Sequence, residues 1–453
     1  MPQTSSTPQT STRPRRSTAR AILHLAVPAF GALIAEPLFL LADSAIVGHL
    51  GVDQLAGVGL AATVLQTAVG LMVFLAYSTT PAVARLLGAG RRADALAVGR
   101  DGIWLAAVLG LVLAGLGAAG AKPLLAGMGA TGAVHDFAVE YLVASLAGIP
   151  AMLVVLAATG VLRGLQDTRT PLAVAGAGFG VNIVLNWLLV YGLGLSVAGS
   201  AIGTVLAQWA MAAVYLVIVV RAARDHRVTL RPDWAGVRTV SKVGSWLMLR
   251  TLSLRAAILV TVIVATAQGP VNLAAHQLAM TVFSFLAFAL DALAIAAQAL
   301  IGKELGAGNV PAVRELTRTM VVWGIGFGVV TGIVVLAAAR WVGWIFTTDA
   351  AVHGALAAAL VVLALGQPIA GFVFVLDGVL IGAGDARYLA LAGLANLVVY
   401  FPLLYWVHAA DLGDTAAGLA WLWTAFSLGY LAARALTLGL RARTSAWIRI
   451  GAH

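Results

Sequence analysis

The sequence predicts an all-α polytopic membrane protein. Twelve transmembrane helices are expected, in two six-helix lobes built as a parallel internal repeat around a central cavity. Three observations predict this. The 453 residues are 61% hydrophobic and only 10% charged, against about 45–50% apolar and about 25% charged in a soluble domain. Apolar runs recur along the chain, each about 20–25 residues long, the length of one bilayer crossing. One gapless shift of 218 residues lays the first half on the second. A soluble enzyme, a nucleic-acid binder and a disordered chain are excluded, because too few polar side chains exist to cover a solvated surface.

Residues 1–20, MPQTSSTPQTSTRPRRSTAR, read by composition as a disordered tail. The apolar stretch after it, Ala21 to Val47, is too long for the h-region of a cleaved signal, about 7–15 residues. Apolar runs then follow at approximately 23–47, 55–80, 98–120, 138–160, 171–193, 197–220, 243–267, 275–300, 316–339, 355–380, 388–408 and 415–439. Each should be a helix, since a lone segment in hydrocarbon satisfies its backbone only that way, and the runs are too long and continuous for barrel strands. The 50 glycines suit helices that pack closely or bend.

The net charge of +10 comes from alternate loops. The N-terminal tail carries Arg13, Arg15, Arg16 and Arg20. The second loop carries Arg85, Arg91, Arg92 and Arg100, and the sixth carries Arg221, Arg224, Arg227, Arg231, Arg238 and Lys242. The fourth, eighth and tenth loops and the C-terminal tail continue the pattern, while the intervening loops hold little beyond Lys122 and Arg340. Basic loops stay in the cytoplasm, so both termini are expected there, in a multi-pass plasma-membrane protein. The surplus charge orients helices and implies no nucleic-acid partner. Cysteine is absent, which excludes a disulfide framework and a thiol nucleophile.

The repeat aligns LGVDQLAGVGLAATV from Leu50 with QGPVNLAAHQLAMTV from Gln268, and LGAG at 87–90 with LGAG at 305–308. It also lays Gly148 and Pro150 on Gly366 and Pro368, and GVLRGLQDTR at 160–169 on GVLIGAGDAR at 378–387. Six helices map onto six, an arrangement typical of transporters that rock two lobes about a central site. The expected organisation is a tail at 1–20, an N-lobe at 21–220, a basic inter-lobe linker at 221–242, a C-lobe at 243–440 and a tail at 441–453. The Asp-x-Arg pairs of the repeated connections, Asp167 with Arg169 and Asp385 with Arg387, are expected to lock helix ends.

Charges inside the apolar runs are the candidate functional residues. Asp43 sits in LFLLADSAIV, where a bare carboxylate costs about 2.5–3.5 kcal/mol on insertion scales. It either takes up and releases a cation or accepts structural hydrogen bonds. Glu36 is two turns earlier on the same face, about 10 Å away. Pro37 cannot donate to the carbonyl of Leu33 and so offers a hinge between the two acids. Asn182 and Asn186 lie one turn apart and can hold Asp43 or offer oxygens to an ion. In the C-lobe, Arg250, Arg255, Asp291 and Asp377 are expected to form ion pairs or a polar network facing the cavity or substrate. Tyr77, Gln66, Gln277 and Gln298 are polar on otherwise apolar helices, and Trp187, Trp209, Trp323 and Trp421 fit an interfacial belt.

Taken together, Pro28, Glu36-Pro37-Leu38, Asp43 and VGHLG at 47–51, the LGAG loop, LRGLQDTRTP at 162–171 and the pair Asn182 and Asn186 resemble the multidrug and toxic compound extrusion (MATE) antiporters, over residues 20–440. Glu36-Pro37, LDALAIAAQALIGKELGAG at 290–308 and LDGVLIGAGD at 376–385 resemble their DinF-like branch. The resemblance implies cation-driven export of amphipathic, often cationic compounds, a monomer, no cofactor, and coupling at Asp43, which matches the family's first-helix aspartate. Many relatives carry Asp where this chain has Asn186. The departure removes a charge that a sodium site would favour, so protons are the expected coupling ion, with sodium the alternative. The same fold moving an organic anion or a lipid-linked substrate is the second reading, kept open by Arg250 and Arg255. An intramembrane enzyme is the remote third, since neither HExxH nor an Asp-rich metal motif occurs.

Overall fold

The computed structural model describes residues 15–451, apart from the side chains at 15–17 and at Glu36. Most of the expected tail, 1–14, and residues 452–453 lie outside the described residues. The N-lobe comprises α1 (Arg15–Gly48), α2 (Val52–Leu71), α3 (Phe74–Gly88), α4 (Arg92–Gly127), α5 (Gly132–Leu146), α6 (Ile149–Gly164), α7 (Arg169–Trp187) and α8 (Ser196–Asp225). The C-lobe comprises α9 (Trp234–Gln268), α10 (Pro270–Gly306), α11 (Val310–Phe346), α12 (Ala350–Gly382), α13 (Ala386–Ala409), α14 (Ala416–Thr424) and α15 (Leu431–Arg443). Short π-helical segments, Leu188–Gly192 and Ala425–Tyr430, extend α7 and join α14 to α15.

Among the described residues, eleven helical spans are long and apolar enough to cross a bilayer, and the pair α5–α6, bent by 51°, makes the twelfth. That bend falls where Pro150 opens α6, whereas its repeat partner Pro368 lies inside the single helix α12. Large apolar side chains face outward along the spans: Val334 is 61% exposed, Trp344 69% and Val398 74%. So much exposed hydrocarbon is stable only against lipid.

Two expected boundaries move. Helix α1 is already helical at Arg15, the first described residue, ahead of the Ala21 boundary. The linker is shorter than 221–242, since α8 runs to Asp225 and α9 starts at Trp234. The residues between are pinned to α4. Arg100 donates to the carbonyl of Thr229 at 2.8 Å, Trp104 donates to that of Leu230 at 3.1 Å, and Asp101 accepts from the Asp233 amide at 3.0 Å. Arg100 and Asp101 are themselves a buried ion pair at 2.8 Å.

The Asp-x-Arg pairs are not ion pairs. Asp167 accepts from the backbone amides of Arg169 and Thr170, each at 3.0 Å, and so caps the start of α7. Asp385 pairs instead with Arg441 at 2.7 Å, and Arg387 lies over the Trp246 ring. A short carboxylate two residues before a helical amide reaches the backbone more readily than a long neighbouring side chain.

The repeat recurs in backbone geometry. Gly51 and Gly269, Gly90 and Gly308, and Gln166 and Gly384 are each 218 residues apart and each has positive φ. At the face bearing the basic loops the repeats meet reciprocally. A Cβ on Gly88 would overlap the carbonyl of Lys303, and one on Gly306 would overlap the carbonyl of Arg85, the repeat counterpart of Lys303. Arg85 donates to the Ala383 carbonyl at 2.6 Å, and Gln166 donates to that of Ala299 at 2.9 Å. The lobes are therefore closed at this face, with α3 seated on α10.

Gly306→Val should force the lobes apart here, at a cost of about 1–3 kcal/mol. Ala84, fully buried beside Gly302, is the reporter position. Because the chain has no cysteine, a lone Ala84→Cys should react with an impermeant maleimide roughly tenfold faster in the valine background; an unchanged rate would refute this seam. Asp101→Ala should strand the Arg100 guanidinium and cost about 3 kcal/mol, read as a lowered melting temperature in detergent.

Candidate functional site

In the N-lobe, four helices converge on Asp43. The carboxylate is 6% exposed. Its Oδ1 accepts from Ser200 Oγ of α8 at 2.6 Å and from Asn186 Nδ2 of α7 at 2.7 Å, and its Oδ2 accepts from Tyr141 of α5 at 3.4 Å. Small residues make this convergence possible. A Cβ on Gly203 would strike the Asn186 amide, and one on Gly199 would strike the backbone of Leu189 and Val190. Close approach of α7 and α8 thus sets Asn186 and Ser200 side by side, 3.4 Å apart. Tyr191 fastens the same corner by donating to the Ile46 carbonyl at 2.5 Å.

Of the predicted N-lobe residues, Asp43 and Asn186 meet and Asn182 does not join them. One helical turn, about 5–6 Å of rise, carries its amide past the carboxylate. Asn182 is buried, and among the described residues its Oδ1 and that of Asn186 each lack a hydrogen-bond partner. The Glu36 side chain is outside the described residues, and α1 runs unbroken through Pro28 and Pro37. Tyr141 and Ser200 are additions. A lone Tyr or Ser in an apolar run carries no spacing signal that would single it out.

In the C-lobe, Asp377 of α12 is held by two arginines. Arg250 Nε donates to its Oδ1 at 3.1 Å and a second guanidinium nitrogen pairs with Oδ2. Arg434 of α15 reaches Oδ2 at 3.4 Å. All three side chains are about nine-tenths buried. Arg434 lies within the last apolar run, LGYLAARALTLGL, and that position was the available signal.

Arg255 stands apart from the Asp377 ion pairs. Five residues after Arg250, it points about 140° away around the helix. It is exposed, with its guanidinium against Gly70 of α2 in the other lobe. Asp291 forms no ion pair with either predicted arginine. It is half-buried on α10, within electrostatic reach of Arg250, Arg434 and, across the lobe boundary, Arg163 and Tyr77. The Arg250 guanidinium sits 6.0 Å from the centre of the Tyr77 ring. Arg163, Arg250 and Arg434 thus lie within electrostatic reach of Asp291, and the last two are paired with Asp377.

Comparison with known proteins agrees with this fold. The MatE family model matches residues 28–188 and 249–406. The chain is 30% identical to Protein DETOXIFICATION 44, chloroplastic, of Arabidopsis thaliana over 442 residues, covering 94% of this chain and 83% of the relative. It is 28% identical to Multidrug resistance protein MdtK of Edwardsiella ictaluri, covering 94% and 95%. A solved MATE structure described as being in the bent conformation superposes with a TM-score of 0.86 at 26% identity, covering 95% and 96%. An outward-facing multidrug resistance MATE transporter gives 0.84 at 25%, covering 95% and 96%. With the model matched across both lobes and the fold shared end to end, this chain belongs to the MatE family: it is a multi-pass membrane transporter, not an enzyme.

Proposed function

We propose that this chain is a proton-driven antiporter of the plasma membrane, acting as a monomer with both termini cytoplasmic, that exports amphipathic cationic compounds by alternating access. The observation that carries the reading is the Asp43 shell, in which the three described partners of the carboxylate are neutral donors. An ionised Asp43 accepts from all three. A protonated one must itself donate. The Ser200 hydroxyl can turn to accept, but the Asn186 NH2 group has no lone pair to offer. Proton uptake thus weakens the link from α1 to α7. Helix α1 already lacks the backbone bond from residue 37 to the Leu33 carbonyl, so it is free to bend in the turn from Leu33 to Pro37, ahead of Asp43. That bend changes the shape offered to the cargo, and proton release on the cytoplasmic side resets it. The relatives named for multidrug resistance support the cargo class.

Everted vesicles loaded by an imposed pH gradient should accumulate a cationic dye. Asp43→Asn should abolish accumulation while leaving the protein folded, and undiminished pH-driven uptake would remove Asp43 from coupling. Asn186→Asp adds a second carboxylate beside Asp43. It should make transport responsive to an imposed sodium gradient, because hard cations favour carboxylate oxygens; the parent chain should show no such response.

The anion reading is favoured by one observation, the excess of arginine over acid near the seam together with exposed Arg255. Under it, Arg255→Ala would abolish uptake of an organic dicarboxylate into proteoliposomes, and under the cation reading it would leave dye export intact.

A further inference from the structure

The C-lobe carries a second feature, whose lining includes neither Asp43 nor the ion-paired Asp377. Helices α11, α12 and α15 leave a groove of about 800 Å³ between them at the end where the basic loops lie. Its floor includes Phe372, Leu376 and Val321, and its rim carries Arg314, Arg318 and Arg443. Arg314 and Arg318 are one turn apart on one face of α11. Arg443 ends α15. All three are exposed, and no carboxylate among the described residues lies within ion-pair distance of any of them. Other basic residues of this face are matched, Arg91 with Asp94, Arg100 with Asp101 and Arg441 with Asp385. The acid beside them, Glu315, turns toward a neighbouring groove that Arg318 also borders and accepts from Thr18 at 3.4 Å.

Below the arginines the groove is open to hydrocarbon. Val322, Leu436 and Leu440 are 59%, 62% and 52% exposed on its walls. On the side facing water it is closed by the chain after α15. Trp447 is buried and donates to the Ala442 carbonyl at 3.3 Å, and Gly451 returns to donate to the Leu305 carbonyl at 3.0 Å. Three cations at the level of the headgroups, above an apolar trough far larger than one phosphate, complement an amphiphile with an anionic head.

We propose that this groove binds an anionic phospholipid of the leaflet bordering the basic loops, with its phosphate on Arg314, Arg318 and Arg443 and an acyl chain along α11 and α15. Basic pockets between helices on that side of a membrane are suited to such headgroups. Only a bilayer-spanning chain is required for this, not the cargo or coupling proposed above.

The test is a lipid titration of the full-length protein followed by native mass spectrometry, with phosphatidylglycerol against phosphatidylcholine. The triple variant Arg314→Gln, Arg318→Gln, Arg443→Gln should bind the first phosphatidylglycerol about tenfold more weakly. A control triple at the same face but outside the groove, Arg221→Gln, Arg224→Gln, Arg238→Gln, should change it less than about twofold. Equal losses in the two variants, or none in either, would overturn the site. Should the groove triple fail to fold, Arg318→Gln alone is compared with Arg224→Gln, with about a threefold loss expected for the first only. Melting temperature gives a second reading. Phosphatidylglycerol should raise it in the parent chain and not in the groove variant. If inorganic phosphate alone gives the same rise, and the lipid adds nothing, the groove takes a free anion and the proposal falls.

Discussion

Hydrocarbon offers no hydrogen bonds, and every other feature of this molecule answers to that constraint. Backbone groups are satisfied by running nearly the whole described chain as helix. Charges that enter the spans must be met by other side chains, and the two lobes meet theirs differently. Asp377 is neutralised by Arg250 and Arg434, so removing its charge would leave two buried cations facing each other, which is strongly unfavourable. Asp43 is met by a hydroxyl, an amide and a phenol. Its charge can come and go without stranding a cation. The same physical rule thus holds one aspartate between two cations and the other among neutral donors.

The second organising interaction is close backbone approach through glycine. The two copies of LGAG do not merely resemble one another; they bring Gly88 and Gly306 against the carbonyls of Lys303 and Arg85, across the pseudo-twofold relation between the lobes. Gln166 is the one departure from glycine in the left-handed turns that the repeat matches here. A non-glycine residue held there costs of order 1 kcal/mol, and its side chain offsets this by donating to Ala299 of the other lobe. That bond exists only while the lobes are closed at this face. Backbone strain and lobe closure are thereby tied together in one residue.

Much of this was legible from the residues alone. The spans, the alternation of basic loops and the repeat depend on length, composition and spacing, all of which are local properties of the chain. Asp43 stood out for the same reason, as one of two acids in the first apolar run. The bent pair α5–α6, the helix already formed by Arg15 and the short linker shift boundaries without changing the order of the spans.

What the tertiary structure decided is which faces meet. Asn182 and Asn186 are equivalent by spacing, yet only Asn186 reaches Asp43, because Gly199 and Gly203 let α8 draw α7 in at that level. Arg250 and Arg255 share a helix, yet one is buried on Asp377 and the other faces Gly70. Tyr141, Ser200 and Arg434 complete the two centres from helices far away in sequence. In a chain that is apolar on every side, the hydrophobic pattern places helices in the membrane but does not orient them about their axes. That rotation is set by the packing of small residues between helices, so the sequence determined which charges enter the membrane, and only packing determined which of them touch.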